Sequence, residues 1–331
     1  MKIIAKLPKR LRTISVAVAT LLLFSPSIVC RLAAKARSVH VGQTQNPVKR
    51  LDTATQSMLR IATFNIAHGR GNAQSNFGGG SQQERDLRLA RLSNLLRDSK
   101  SDIVVLNEVD FDCSWSHHMN QAQWLAENSG FSYWAEQRNF DARFLGWTWK
   151  FGNAILSQFP IDRANVVDLP AYSTWESIAA GHKRGLEVTI VDGDRKLSII
   201  ALHLSPRSES IRTNSAELVC QRIKSKPVEC VVLGDMNSTL AGFPLHATTD
   251  KGHNAMETFA NSGLLRLHAT RYDEATTALT FPASAPNRLI DWIGVTNQLK
   301  IQNATVVESN LSDHLMVVCD VVPASLQNET K

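Results

Sequence analysis

Apolar residues along this chain come in short runs, and each run stops at a polar side chain. Val228-Glu229-Cys230-Val231-Val232-Leu233 is rich in β-branched residues, stops at Gly234, and is followed by Asp235, Met236 and Asn237. A run of this length bounded by polar groups predicts a strand covered on both faces. Gly234 predicts a turn, or a close approach by another group, where the strand ends. If the backbone stays extended, Asp235 and Asn237 share one face. A plainer reading of the same residues is a capped strand end with an Asx turn. Leu59–Ile66 alternates like a strand and carries Asn65 near its end; Asp102–Val109 is a second apolar run, with Glu108 near its end. Between them Leu87, Leu92, Leu95 and Leu96 recur at helical spacing, which predicts a helix over 84–98. Strand, helix, strand predicts a layered α/β domain.

Further strands are predicted at 151–157, 186–191, 196–203, 289–295 and 312–319, with helices over 208–224 and near 255–262. Asp192-Gly193, between two strand-like runs, predicts a hairpin turn. Residues 111–150 hold five of the seven tryptophans and read as core and loop packing, with a substrate rim as the alternative. No internal repeat interrupts the pattern, and Gly78-Gly79-Gly80 marks one short flexible loop.

Charge changes the picture at the N-terminus. Residues 1–36 carry seven basic groups and no acid, so removing them from a formal net charge of +6 leaves the rest of the chain at −1. The basic balance is therefore no argument for nucleic-acid binding. A basic stretch to Arg12, an uncharged apolar stretch from Ile14 to Val29 and Ala34-Lys35-Ala36 have the order of a signal peptide, predicted as 1–36. That makes the protein exported (secreted, periplasmic or surface); an uncleaved membrane anchor is the alternative. Residues 37–57 read as a linker, 58–322 as one folded domain and 323–331 as a tail. Cleavage would leave Cys113, Cys220, Cys230 and Cys319. Cys319 reads as a core thiol, and Cys220 and Cys230 could pair in an oxidising compartment. No CxxC or HExxH pattern suggests zinc.

One polar residue at a strand end is usually a satisfied cap. Here Asn65, Glu108, His203, Asp235 with Asn237, Asp291, and Asp313 with His314 all occupy such positions. So many predict a shared polar floor where strand ends converge. Acids, amides and histidines without cysteine suit a hard cation, Mg²⁺ or Mn²⁺, with phosphate as co-ligand.

Taken in order, Thr-Phe-Asn65-Ile, Asn-Glu108-Val, Gly-Asn153-Ala-Ile-Leu-Ser, Leu-His203-Leu, Gly-Asp235-Met-Asn237, Arg288-Leu-Ile-Asp291-Trp-Ile and Ser-Asp313-His314 resemble the endonuclease/exonuclease/phosphatase superfamily, the DNase I-like fold. The resemblance covers roughly residues 58–322. It implies a four-layer α/β sandwich, two packed mixed β-sheets flanked by helices, and metal-dependent phosphoester hydrolysis. It further implies Glu108 as the main metal ligand with Asn65 and Asp313 beside it, and Asp235 orienting or deprotonating the attacking water. Asn237 and His203 would bind the phosphate, and His314, oriented by Asp291, would stabilise the transition-state charge or assist the leaving group. Ala67 stands where many DNA-repair members carry an acid, and His203 where apurinic endonucleases carry Tyr. Both lean towards secreted DNase-like, sphingomyelinase-like or phosphatase-like branches. The expected activity is an exported Mg²⁺-dependent phosphodiesterase or phosphatase. An extracellular DNA or RNA endonuclease is the alternative, and a non-catalytic binding protein on the same fold is a third reading. The expected partner is a phosphoester substrate (nucleic acid, phospholipid headgroup or small phosphate ester). No obligate protein partner is evident, and a membrane enters only with an uncleaved N-terminus. His68, His117, His118, His182 and His246 read as surface or loop residues.

Overall fold

The computed structural model describes residues 10, 13–20, 39–45, 47, 58–144, 146–171, 183–226 and 228–327. Most of the expected signal segment, His182 and the last four residues lie outside them. Among the described residues no helix is long and apolar enough to cross a membrane. The strands, in chain order, are β1 Val39–Gln43, β2 Leu59–Asn65, β3 Ile103–Cys113, β4 Tyr133–Phe144, β5 Trp147–Ser157, β6 Ile161–Asp168 and β7 Arg184–Asp192. They continue with β8 Arg195–His203, β9 Cys230–Asp235, β10 Leu265–Leu267, β11 Asp291–Thr296, β12 Leu299–Val307 and β13 Met316–Pro323. Among the described residues, four α-helices, α1 Gln82–Asp98, α2 Gln121–Ser129, α3 Glu209–Ser225 and α4 Ala255–Asn261, stand between them.

Two mixed sheets result. One has seven strands in the order β1-β4-β5-β3-β2-β13-β12, the other six in the order β10-β11-β9-β8-β7-β6. Alternation along each strand assigns the layers. Leu59 and Ile61 of β2 face Val231 and Leu233 of β9 in a core between the sheets. Ala62 and Phe64 point the other way, onto Leu89, Leu92 and Leu125 of α1 and α2. Val232 likewise points outward, to Ala216 and Val219 of α3 and Phe259 of α4. Helix, sheet, sheet, helix is the expected four-layer sandwich. The caps are local and legible: Ser81 with Glu84, and Asn254 with Glu257, form capping boxes at α1 and α4.

Several expectations need correcting. Val39–Gln43, inside the stretch read as a linker, is an edge strand paired antiparallel with β4. The tryptophan-rich stretch contains α2, β4 and the start of β5, and its packing is as expected in part: Trp134 is buried in the core with Trp124 against it, while Trp147 is exposed. The β7–β8 turn is Gly193-Asp194, because Asp192 pairs with Arg195. Asp291 opens β11 rather than closing a strand, and Asp313 and His314 precede β13. β11 runs antiparallel to β9 and β13 antiparallel to β2, so their starts lie beside the ends of β9 and β2. The four described cysteines are free, Cys220 and Cys230 included. Cys319 is fully buried, as a core thiol should be.

A buried amide ties the sheets together at this end. Asn107 of β3 donates to Asn153 Oδ1 at 2.9 Å and to the Leu202 carbonyl of the opposite sheet at 3.0 Å. Its own carbonyl oxygen accepts the Asp235 N–H at 2.9 Å. Asn153 extends the bridge, donating to Gln137 at 3.0 Å and to the Arg184 carbonyl at 2.8 Å. Asn107→Ala would strand the Asp235 N–H and two acceptors in a dry interior. It should destabilise the fold by roughly 2–5 kcal/mol in urea titrations; a loss under about 0.5 kcal/mol would mean that the bridge is unimportant.

Candidate active site

Pairing registers bring the polar strand ends together before any side chain is considered. Asn65 lies opposite Asn107 in the parallel β2–β3 pair. His203 lies opposite Asp235 in the parallel β8–β9 pair, and Asp291 faces Asp235 from β11. Both parallel pairs are βαβ units, so their carboxyl ends open on one side, where α/β proteins place their sites. Gly234 is required here: at φ +141°, a Cβ would fall 1.9 Å from the Leu202 carbonyl oxygen.

Asp235 is the centre of the cluster. Its Oδ2 accepts from Asn65 Nδ2 at 3.0 Å, with His203 Nε2 at 3.6 Å and His314 Nε2 at 3.7 Å. Its Oδ1 accepts the Asn237 N–H at 2.9 Å. Burial and the nearby charge of Asp291 raise its pKa to about 6, against the pull of His314, Asn65 and Asn237. An aspartate ionised near neutrality but easily protonated is a workable general base.

Asn237 is not extended. Its φ is +49°, its N–H closes the Asx turn on Asp235, and its amide donates to the Leu204 carbonyl at 3.1 Å. The shared-face inference fails because the backbone turns left-handed after Met236; the plainer turn reading holds instead. Asn65 Nδ2 serves Asp235, while its Oδ1 accepts the Ala67 N–H at 3.0 Å.

His314 Nδ1 lies 2.9 Å from Asp291 Oδ2. Burial works against the charged ring, but Asp291, then Asp235 and Asp313, hold its pKa up to about 10. Phe281 packs on the ring with centroids 4.7 Å apart, and the Arg288 guanidinium lies 5.0 Å from the centre of the Phe281 ring. His203 is opposite in character: burial and then the Lys183 ammonium, 3.0 Å from Nε2, push its pKa well below the usual histidine value. One ring is cationic and the other neutral, with both Nε2 atoms facing one carboxylate oxygen.

Glu108 does not close its strand as expected: it sits inside β3, in a register shift of the β3–β5 ladder, at φ +53°. That backbone turns its carboxylate out of the alternation and leaves the side chain 27% exposed. Burial raises its pKa, but His68 above all, with His203, Lys183 and His314, draws it down to about 2. Asp313 is paired with Arg70, Oδ2 to Nη2 at 2.8 Å. Asp235, Asp291 and His314 also offer ligand atoms within 4.8 Å of one another, a possible metal site. His314 would have to give up its proton to ligate there.

His68 corrects the surface reading. It is 7% exposed, with Nδ1 2.6 Å from Asp110 Oδ1 and Nε2 3.5 Å from Glu108 Oε2. His117, His118 and His246 are exposed, as expected. Sequence reasoning also missed Asp110, Arg70, Lys183 and the Asn107 bridge. The one available signal was spacing: Asp110 follows Glu108 by two residues, and His68 follows Asn65 by three.

Residues 62–314 match the model of the Endonuclease/Exonuclease/phosphatase family. No curated protein matches the chain at a significant level. Among solved structures, an endonuclease/exonuclease/phosphatase from Beutenbergia cavernae DSM 12333 is similar over 81% of this chain and 72% of its own, at 23% identity and a TM-score of 0.61. The mannosyl-6-phosphatase of Bacteroides thetaiotaomicron VPI-5482 matches 80% of this chain and 99% of its own, at 17% identity and a TM-score of 0.55. The human Nocturnin catalytic domain with bound sulfate anion matches 86% and 98%, at 17% identity and a TM-score of 0.56. At these identities the likenesses establish the fold.

The Asp291–His314 pair has a pH signature. The folded pKa of His314, about 10, stands above the ordinary 6.5. Its contribution to stability is therefore complete below pH 6.5 and fades as pH climbs from there through 10. Asp291→Asn should lower the ring's pKa, flatten the stability–pH curve across that window, and move the alkaline limb of the pH–rate profile to lower pH. Urea titrations between pH 6 and 10, with histidine ring NMR, check this; an unmoved His314 resonance would refute the pairing.

Proposed function

The chain belongs to the Endonuclease/Exonuclease/phosphatase family, a family of phosphoester hydrolases, and from that premise we propose that it is an exported, divalent-metal-dependent hydrolase in which Asp235 activates the attacking water. The observation that carries this reading is the convergence on Asp235 Oδ2 of Asn65, His203 and His314, with the carboxylate poised at about 6. Asn65 and the Asn237 N–H hold the carboxylate still. A water on Asp235 Oδ2 would lie between two imidazoles. The carboxylate takes its proton as the water oxygen forms its bond to phosphorus. His314, kept cationic by Asp291, donates from Nε2 to a phosphate oxygen or to the departing alkoxide. His203 and Lys183 bind a further phosphate oxygen.

Glu108 fits the metal role that the family implies. It is ionised, partly exposed and turned out of its strand, with His68 Nε2 3.5 Å from one oxygen and His203 Nε2 3.9 Å from the other. Its hard oxygen donors suit Mg²⁺ or Mn²⁺. A cation held there would neutralise charge on the phosphate. Asn65 and Asp313 complete the proposed metal surroundings, although each already has a protein partner.

Export rests on the order of segments in residues 1–36, and mass spectrometry of exported protein should find a start near Arg37. The near-neutral charge of the remaining chain gives no argument for a nucleic-acid substrate. Bis-(p-nitrophenyl) phosphate, plasmid DNA, RNA, sphingomyelin and inositol phosphates, each with Mg²⁺ and with chelator, separate these substrates. Turnover should vanish in EDTA and collapse in Glu108→Gln along with Mg²⁺ binding. Full activity in excess EDTA would sink the metal-dependent reading. Asp235→Asn should lower kcat by roughly 10²–10⁴, the range for losing a general base. A kcat within a few-fold of wild type would reassign the base.

A further inference from the structure

We propose that His68 is a positioning residue for Glu108: it holds one carboxylate oxygen and leaves the other presented to the metal ion. This rests on the reading that Glu108 binds the metal. His68 lies in the turn after β2, where Ala67 and His68 both adopt left-handed backbone, at φ +48° and +55°. Two consecutive non-glycine residues in that region are costly and persist only where the surroundings enforce them. The surroundings here are specific. His68 Nδ1 lies 2.6 Å from Asp110 Oδ1, the ring N–H donating to the carboxylate, and Asp110 Oδ2 accepts the Trp115 indole N–H at 2.8 Å. Gln121 locks the two main chains together, accepting the Asp110 N–H at 3.0 Å and donating to the His68 carbonyl at 3.0 Å. Trp115 and Phe151 meet the imidazole edge-on, with ring centroids 5.8 and 5.1 Å away.

The ring therefore has one orientation, and its free nitrogen points at Glu108. Nε2 is 3.5 Å from Oε2, while Oε1 lies 3.9 Å from His203 Nε2 on its other side. If the His68–Asp110 pair were only a staple between the β2 turn and β3, Nδ1 would suffice, and nothing would require Nε2 to face the carboxylate. Glu108 needs such a partner. A long side chain at a bulge, partly exposed, samples several rotamers unless one oxygen is held. Carboxylates that ligate metals are themselves held by outer partners, and losing such a partner costs about 10–100-fold in metal affinity.

The test is isothermal titration of the full chain with Mg²⁺, read beside its thermal unfolding without metal. His68→Gln should raise the Mg²⁺ Kd by about 10–100-fold, with activity recovering as Mg²⁺ is raised. Trp115→Phe keeps the aromatic packing and removes one hydrogen bond to Asp110; it should raise the Kd by a few-fold, and it decides the matter alone if His68→Gln does not fold. Mg²⁺ Kd values within twofold of wild type in the folded variants, whatever happens to their melting temperatures, would overturn the inference and leave a staple. Wild-type protein that binds no Mg²⁺, or Glu108→Gln that binds it as tightly as wild type, would instead overturn the metal reading, and this inference with it.

Discussion

The structure depends on a buried amide joining two sheets. Hydrophobic packing between β-sheets is non-directional and tolerates sliding, so an apolar core alone would not fix which strand ends meet. Asn107 removes that freedom: its hydrogen bonds reach Asn153 in its own sheet, and the Leu202 carbonyl and Asp235 N–H in the other. Each is a buried polar group with no water to fall back on, so a shifted register would leave several of them unpaired at once. The site inherits this alignment. Asn65, on one sheet, reaches Asp235, on the other, at 3.0 Å because the amide bridge beside them sets the spacing.

The alignment also explains the backbone irregularities. Asn237, Glu108, Ala67 and His68 all have left-handed backbone. Ala67, His68 and Asn237 lie just beyond strand ends and Glu108 at a bulge inside β3, positions on the polar floor where strain is tolerated if neighbours enforce it. The bulge at Glu108 turns a carboxylate out of a strand whose flanking residues are otherwise committed to packing. Regular alternation would have sent that side chain into a layer with no room for charge.

Legibility followed the same division. Regular strands and helices were readable, because β2, β3, β8, β9, α1 and α3 announce themselves by periodicity and caps. The convergence of polar strand ends was readable too, since the residues sit where apolar runs stop. Which end of a strand carries its polar group was not: Asp291 opens β11, because antiparallel pairing puts starts beside ends. β6 and β12 escaped notice because they carry interleaved charged and polar residues on half-exposed faces, and β4 because buried polar residues, Glu136, Gln137, Asn139 and Asp141, interrupt its apolar pattern. The His68–Asp110 pair escaped because each residue, taken singly, has the look of a loop or strand-end residue. Only the left-handed turn at 67–68 folds the histidine back onto the strand.

The electrostatics of the floor follow from where each charge finds its counter-charge. Four acids, Glu108, Asp235, Asp291 and Asp313, meet four basic side chains, His68, His203, His314 and Arg70, over a span of single side-chain contacts. Arg70 takes Asp313, and His314 takes Asp291 with direct geometry. His203, with Lys183 beside it, resists protonation and so brings no full charge to Asp235. Asp235 is buried beside the charge of Asp291, and its pKa rises to about 6 despite the pull of His314, whose own pKa rises to about 10. At neutral pH this leaves a proton acceptor and a proton donor facing each other 3.7 Å apart without transferring the proton between them. Environments that separate a base from an acid in this way are how one small cleft serves both halves of a hydrolysis. Glu108, drawn down to about 2, stands outside that exchange, an ionised carboxylate through the whole working range of pH.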